Sequence, residues 1–64
     1  MIDVFEYENH AVFVRCLNGR EYKGLVKWCA RADDIDETSD MINIDGIGVL
    51  ANEIESISII EKTA

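Results

Sequence analysis

The sequence predicts an all-β fold: a small, five-stranded, strongly bent antiparallel barrel with a short N-terminal helix. Three observations carry that expectation. Residues 11–17 alternate Val12, Val14 and Cys16 with Phe13, Arg15 and Leu17, the period of two expected of a half-buried strand. Asn18-Gly19 and Asp45-Gly46 each stand between two such runs, and these dipeptides tolerate the positive φ that a tight hairpin needs; at Asn18-Gly19 the expected turn is type I′. Gly24 interrupts the inward row of a long second strand, where a glycine marks a bulge, a sharp bend or a close backbone approach. Closing five short strands into a barrel removes most of the edges that would otherwise aggregate.

The elements follow in chain order. Asp3 and Glu6 fit a capping box and predict a short opening helix, although Phe5 and Tyr7 alternating with Glu6 and Glu8 also fit a strand. The second strand is expected over residues 21–32, with Tyr22, Gly24, Val26, Trp28 and Ala30 inward and Lys23, Leu25, Lys27, Cys29 and Arg31 outward. Residues 32–40 hold five acids between Asp33 and Asp40 and read as a solvated loop. Residues 41–44 and 47–51 form the second hairpin. Residues 52–55 read as a tight turn or one helical turn, and Ile57, Ile59 and Ile60 supply a closing strand before the charged pair Glu61-Lys62.

Size and charge bound the function. A chain of 64 residues makes one domain, 1–64, and a domain this small buries only about 60% of its unfolded surface. Its 48% hydrophobic content and lack of proline argue for a folded chain rather than a disordered one. Two cysteines, Cys16 and Cys29, are fewer than a disulfide scaffold uses, which points to a reduced, cytoplasmic protein. Met1-Ile2-Asp3-Val4-Phe5-Glu6 lacks the long apolar run of a signal peptide or membrane span, so no membrane partner is expected. The formal charge of −7 disfavours nucleic acid and anionic membrane at long range.

With the strands laid out, residues 12–26, Val-Phe-Val-Arg-Cys-Leu-Asn-Gly-Arg-Glu-Tyr-Lys-Gly-Leu-Val, resemble the first motif of Sm-like proteins, members of the Sm-like and SH3-like small-barrel superfamily. There a hydrophobic strand, Asn-Gly or Asp-Gly, and a bent glycine-bearing strand follow one another. Ile54-Glu55-Ser56-Ile57-Ser58-Ile59 resembles the closing pattern of the same superfamily. The RNA-binding members carry Met-Asn in the third-strand region and Arg-Gly before the last strand. Here the counterparts are Asp40-Met41-Ile42-Asn43 and Ala51-Asn52, so the resemblance implies the barrel rather than the uridine pocket. In acidity the chain is similar to the bacterial YolD-like and Rof-like proteins, which implies contacts with other proteins. A shared fold does not transfer an activity.

Groups for catalysis are sparse. His10 lies in a turn without a second placed acid or base, so no catalytic residue, no cofactor and no enzyme activity are expected. Asp34, Asp36, Thr38, Asp40 and Asp45 approach the spacing of a calcium loop, but Ser39 stands where the sharp turn demands glycine and Asp45 replaces the bidentate Glu; no metal is expected. Lys23, Lys27 and Arg31 recur at even offsets on the outward face and with Arg20 place four bases within twelve residues, a stripe suited to an acidic partner or a phosphate backbone, or to pairing with surplus acids. Phe13, Leu17, Leu25 and Met41 form a candidate outer apolar patch, while Tyr22 and Trp28 are expected to fill the core. Ile59 and Ile60 lie in a run with apolar residues of both parities, which suits edge pairing.

Two functions follow. The first is a small acidic interaction module that self-associates or binds a partner protein through a strand edge or outer apolar patch, using Phe13, Lys23, Leu25, Lys27, Arg31, Met41, Ile59 and Ile60. The alternative is single-stranded RNA or DNA binding along Lys23, Lys27 and Arg31, with Asn43 as a further contact.

Overall fold

A computed structural model describes residues 3–61; Met1, Ile2 and Lys62, which figured in the reading of the two ends, lie outside the described residues. The fold is all-β, with five antiparallel strands: β1 (Ala11–Cys16), β2 (Glu21–Ala30), β3 (Met41–Ile44), β4 (Ile47–Leu50) and β5 (Ile54–Ile59). Short helical turns join them: η1 (Val4–Tyr7), α1 (Ala32–Ile35) and η2 (Ala51–Glu53). The strand order is β4-β3-β2-β1-β5, so β4 and β5 are the two edges of an open sheet with no ladder joining them among the described residues, and the expected closure into a barrel gives way to an open, bent sheet.

The bend is built into β2. Its first half, from Glu21 to Leu25, pairs with β1, and its second half, from Val26 to Ala30, pairs with β3. One strand therefore serves two sheets that face each other across the core. At Gly24 the chain must turn closely over its neighbour: a Cβ there would lie 3.0 Å from the Cβ of Asp45 and 3.4 Å from Ile44 Cγ2. The N–H of Asp45 donates to the Leu25 carbonyl at 2.9 Å, which fixes the β3–β4 turn against that bend.

A bulge then reverses the face of the strand. Val26 opposes Ile44 but Trp28 opposes Asn43, so Lys27 is an extra residue on β2. Beyond it Cys29, opposite Ile42, takes the inward parity, whereas Trp28 and Ala30 turn outward. This corrects the expectation that Trp28 fills the core and that Cys29 faces out. Strict alternation across residues 21–32 fails because one inserted residue flips every side chain after it. A second bulge, at Glu55 of β5, lets Ile54 oppose Cys16 and drop into the core.

The core lies between the two sheets. Val12, Val14, Val26, Ile42, Ile44, Val49 and Ile54 are buried, with Tyr22 and Ile57 packed at its margin. The opening helix is a 3₁₀ turn whose start is held by the Asp3 side chain, which accepts from Phe5 N–H at 3.1 Å. It plugs the core with Val4, and the Cys29 thiol donates to the Val4 carbonyl at 3.3 Å. From there Asn9 takes φ 69° and its N–H donates to the Val26 carbonyl at 2.9 Å, while the Val26 N–H donates back to His10.

The two dipeptide turns differ. Asp45 and Gly46 have φ of 52° and 95° and join Ile44 directly to Ile47, the type I′ arrangement. At Asn18-Gly19 only the glycine is left-handed, at φ 90°. The Gly19 N–H returns to the Cys16 carbonyl at 3.0 Å and the Cys16 N–H to Arg20 at 2.8 Å, so the loop is a type I turn closed by a left-handed glycine. The expected type I′ turn gives way to a loop one residue longer, in which Leu17 takes part. The acidic segment is also more ordered than a plain loop. Residues 32–35 make one helical turn because Asp40 Oδ1 accepts from Ala32 N–H at 2.9 Å and Asp36, at φ 56°, ends it.

Two glycine substitutions separate the bend from the rest of the sheet. At Gly48 an added Cβ would meet the Met41 sulfur at 2.9 Å, the mobile part of an unbranched side chain, whereas at Gly24 it meets the root of a turn residue. Gly48→Ala is therefore expected to change stability by less than about 0.5 kcal/mol. Gly24→Ala is expected to cost about 1–3 kcal/mol by overpacking. Urea unfolding of the two variants measures the difference.

Candidate functional site

Register arranges the outer face in rows. Leu25 of β2 opposes Ala11 of β1, and the Ile60 N–H donates to the Ala11 carbonyl at 2.9 Å, so Leu25, Ala11 and Ile60 line up across three neighbouring chain segments. The next row is Lys23, Phe13 and Ser58, and the third is Glu21, Arg15 and Ser56. Leu25 is 47% exposed and Ile60 41% exposed, with Phe13 half-buried beside them. Three of the expected site residues, Phe13, Leu25 and Ile60, thus converge on one apolar patch.

Met41 does not join that patch. It opposes Ala30 and Leu50 on the far half of the sheet and covers Gly48. There a second outer surface forms around Trp28, which is 44% exposed, while Asn43, opposite both Trp28 and Gly48, is buried. The Asn43 side-chain oxygen accepts from Gly46 N–H at 3.0 Å and so braces the β3–β4 turn. Leu17, 68% exposed, belongs to the β1–β2 loop. Sequence periodicity missed the Trp28 surface because the bulge that creates it has no residue-type signature.

The basic stripe is divided. Lys23 stays on the outer face, but Lys27 sits at the bulge 4.0 Å from Asp45, and Arg31 leaves the strand to lie over the Phe5 ring, 5.2 Å from its centre. Arg15 donates to Glu21 through Nε at 3.1 Å and Nη2 at 2.7 Å; that hydrogen bond and the nearby charge raise its pKa, and Glu55 adds to the effect. Of these four bases Arg15 and Lys27 lie beside acids, as cross-strand compensation expects, though exposed pairs of this kind contribute little.

The β5 edge completes the surface. Hydrogen bonding alternates along an antiparallel pair, and the Ile60 N–H points to β1, so those of Ser58 and Ser56 do too. Ile57 and Ile59 accordingly turn their N–H and C=O groups to the free side. The Ile59 side chain, which shares the inward parity of Val12, is still 50% exposed. The end of β5 is held by a contact between His10 Nδ1 and Glu61 Oε1.

The chain matches no family model, no curated protein and no solved structure.

Among the described residues, no group of three or more His, Cys, Asp or Glu is placed to hold a metal, and no pocket is formed. Two side chains of the acidic segment have other tasks: the Asp40 carboxylate accepts from Ala32 N–H at the start of α1, and the Thr38 hydroxyl accepts from the Asn52 side-chain amide at 3.1 Å. Cys16 and Cys29 are free thiols that both face inward, not to opposite sides. Burial raises the pKa of each; Cys29 is pushed up to about 11, with Glu8, Asp3 and Asp40 adding to the desolvation. No described helix is long and apolar enough to cross a membrane.

Two measurements check this geometry. Trp28→Ala is expected to lower stability by about 1 kcal/mol, below the 3–5 kcal/mol of a buried aromatic, and acrylamide is expected to quench Trp28 fluorescence efficiently in the folded protein. The Cys29 pKa is raised on folding, so its stabilising contribution is complete below the unfolded value near 9 and is lost as pH rises toward about 11. Over that window Cys29→Ala is expected to lose less stability than the parent chain in parallel urea titrations.

Proposed function

We propose that this chain is a small acidic protein-interaction module that works through the free edge of β5 and the apolar patch beside it. The observation that carries the reading is continuity: Ile59 and Ile60 end the unpaired edge, and Ile60 begins the patch shared with Leu25 and Phe13. An added strand gains backbone hydrogen bonds from Ile57 and Ile59 and apolar contact from the adjoining face. The resemblance to Sm-like and SH3-like small barrels supports an edge-and-face mode, and the expected setting is the cytoplasm. Single-stranded nucleic acid is the lesser reading. The stripe that would contact phosphate is split by the Lys27 bulge, and Lys27 and Arg31 already lie against Asp45 and Phe5.

Ile59→Pro tests the edge directly, because it removes an N–H that faces away from β1 and proline is tolerated on edge strands. Affinity capture from the native cell extract is expected to retain a partner with the parent chain and to lose it with Ile59→Pro and with Leu25→Asp, while both variants keep the parent circular dichroism spectrum. Equal capture by the parent and both folded variants, or none by the parent, sinks the reading.

A further inference from the structure

Charge is sorted by the topology. Residues 32–61, which contain α1, β3, β4, η2 and β5, hold nine carboxylates and no Lys or Arg. Residues 3–31 hold four carboxylates and five bases. Because the strand order is β4-β3-β2-β1-β5, the bases sit on the interior strands β1 and β2 and their flanking loops, and both free edges fall within residues 32–61, the segment without bases. Glu53 and Glu55 stand at one end of β5 and Glu61, which contacts His10 through one carboxylate oxygen, at the other, all exposed. Arg15, whose charge Glu55 helps stabilise, already makes two hydrogen bonds to Glu21.

Edge strands that avoid pairing use lysine, proline, short length or bulges. β5 has neither lysine nor proline, spans six residues, and carries its bulge at the Glu55 end, leaving residues 56–59 regular. A second copy meeting this edge with its own β5, or with β4 and its Asp45, would set carboxylates against carboxylates. Like charges directly opposite on neighbouring strands are destabilising. A strand rich in lysine or arginine meets complementary charge at both ends of the same edge.

We infer that the β5 edge receives an extended, basic segment of a different protein, with Lys or Arg alternating with apolar residues, rather than a second copy of this chain. This rests on the proposed function and deepens it. Glu53, Glu55 and Glu61 steer the segment, Ile57 and Ile59 bond its backbone, and alternate apolar side chains lie along Ile59 and Ile60. The acidic edge is thus a specificity device, favouring a basic strand and rejecting the chain's own acidic edges.

The probes are two synthetic peptides of equal length, one alternating Val and Lys, the other Val and Glu, titrated into ¹⁵N-labelled full-length protein at low and high salt. The expected result is shifts and exchange protection centred on the Ile57 and Ile59 amides with the Val-Lys peptide, at least tenfold weaker at 0.5 M salt, and none with Val-Glu. The double variant Glu53→Lys and Glu55→Lys is expected to reverse that preference, and its fold is checked by its own amide spectrum. Binding of Val-Glu at the same amides as strongly as Val-Lys overturns the basic partner but leaves edge pairing standing. Concentration-dependent protection of β5 without peptide, strengthened by the double variant, assigns the edge to a second copy and overturns the inference. Silence of the β5 amides with both peptides at millimolar concentration overturns it too; the proposed function then stands or falls on whether Ile59→Pro abolishes capture.

Discussion

The rest of the molecule depends on a division of labour within β2. A ten-residue strand that gives its first half to β1 and its second to β3 must bend between them, and at the bend it passes close to the Ile44 and Asp45 side chains. Gly24 leaves the room for that approach, and the Lys27 bulge adds the local twist that carries the strand into the other sheet. Once β2 is folded this way, two inner faces oppose each other and seven branched aliphatic side chains are withdrawn from water between them. Dispersion and hydrophobic burial then hold the two layers without help from a disulfide or metal among the described residues.

The same bend decides what the surface carries. Reversal of side-chain parity beyond Lys27 spends an indole on the outer face and brings a thiol inside, where it donates to the backbone of the N-terminal plug. Strand order does the rest. With β1 and β2 interior to the sheet, the Arg15–Glu21 pair lies toward its middle, while the backbone that is free to bond further lies within residues 32–61, which carry carboxylates and no Lys or Arg. Shape and charge are therefore segregated by one topological fact.

Much of this was legible in the sequence. The alternation of Val12, Val14 and Cys16, the glycine at 24 and the dipeptide at 45–46 encode local backbone demands, and each appears where those demands predict. What escaped the sequence was parity after an insertion. Nothing in the residue type of Lys27 says that it is extra, and so Trp28 and Cys29 exchange faces. The loop at Asn18-Gly19 failed for a related reason, since a glycine that closes a three-residue loop looks the same in sequence as one in a two-residue turn. Of the candidate site, Phe13, Leu25 and Ile60 were recoverable from alternation. The separation of Met41 from them, and the breakup of the Lys23, Lys27 and Arg31 row, required knowledge of where the strand bends.

The pairing of β5 with β1 has a temporal side. Hairpins β1–β2 and β3–β4 close over short loops, but β1 also pairs with β5, far along the chain from it. Local pairs form before the loop-closure entropy of the distant pair is met, and synthesis runs from the N-terminus. Until β5 is in place, the flank of β1 that it covers stands open, so a chain stopped before Ile54 presents a different adhesive flank from the folded one.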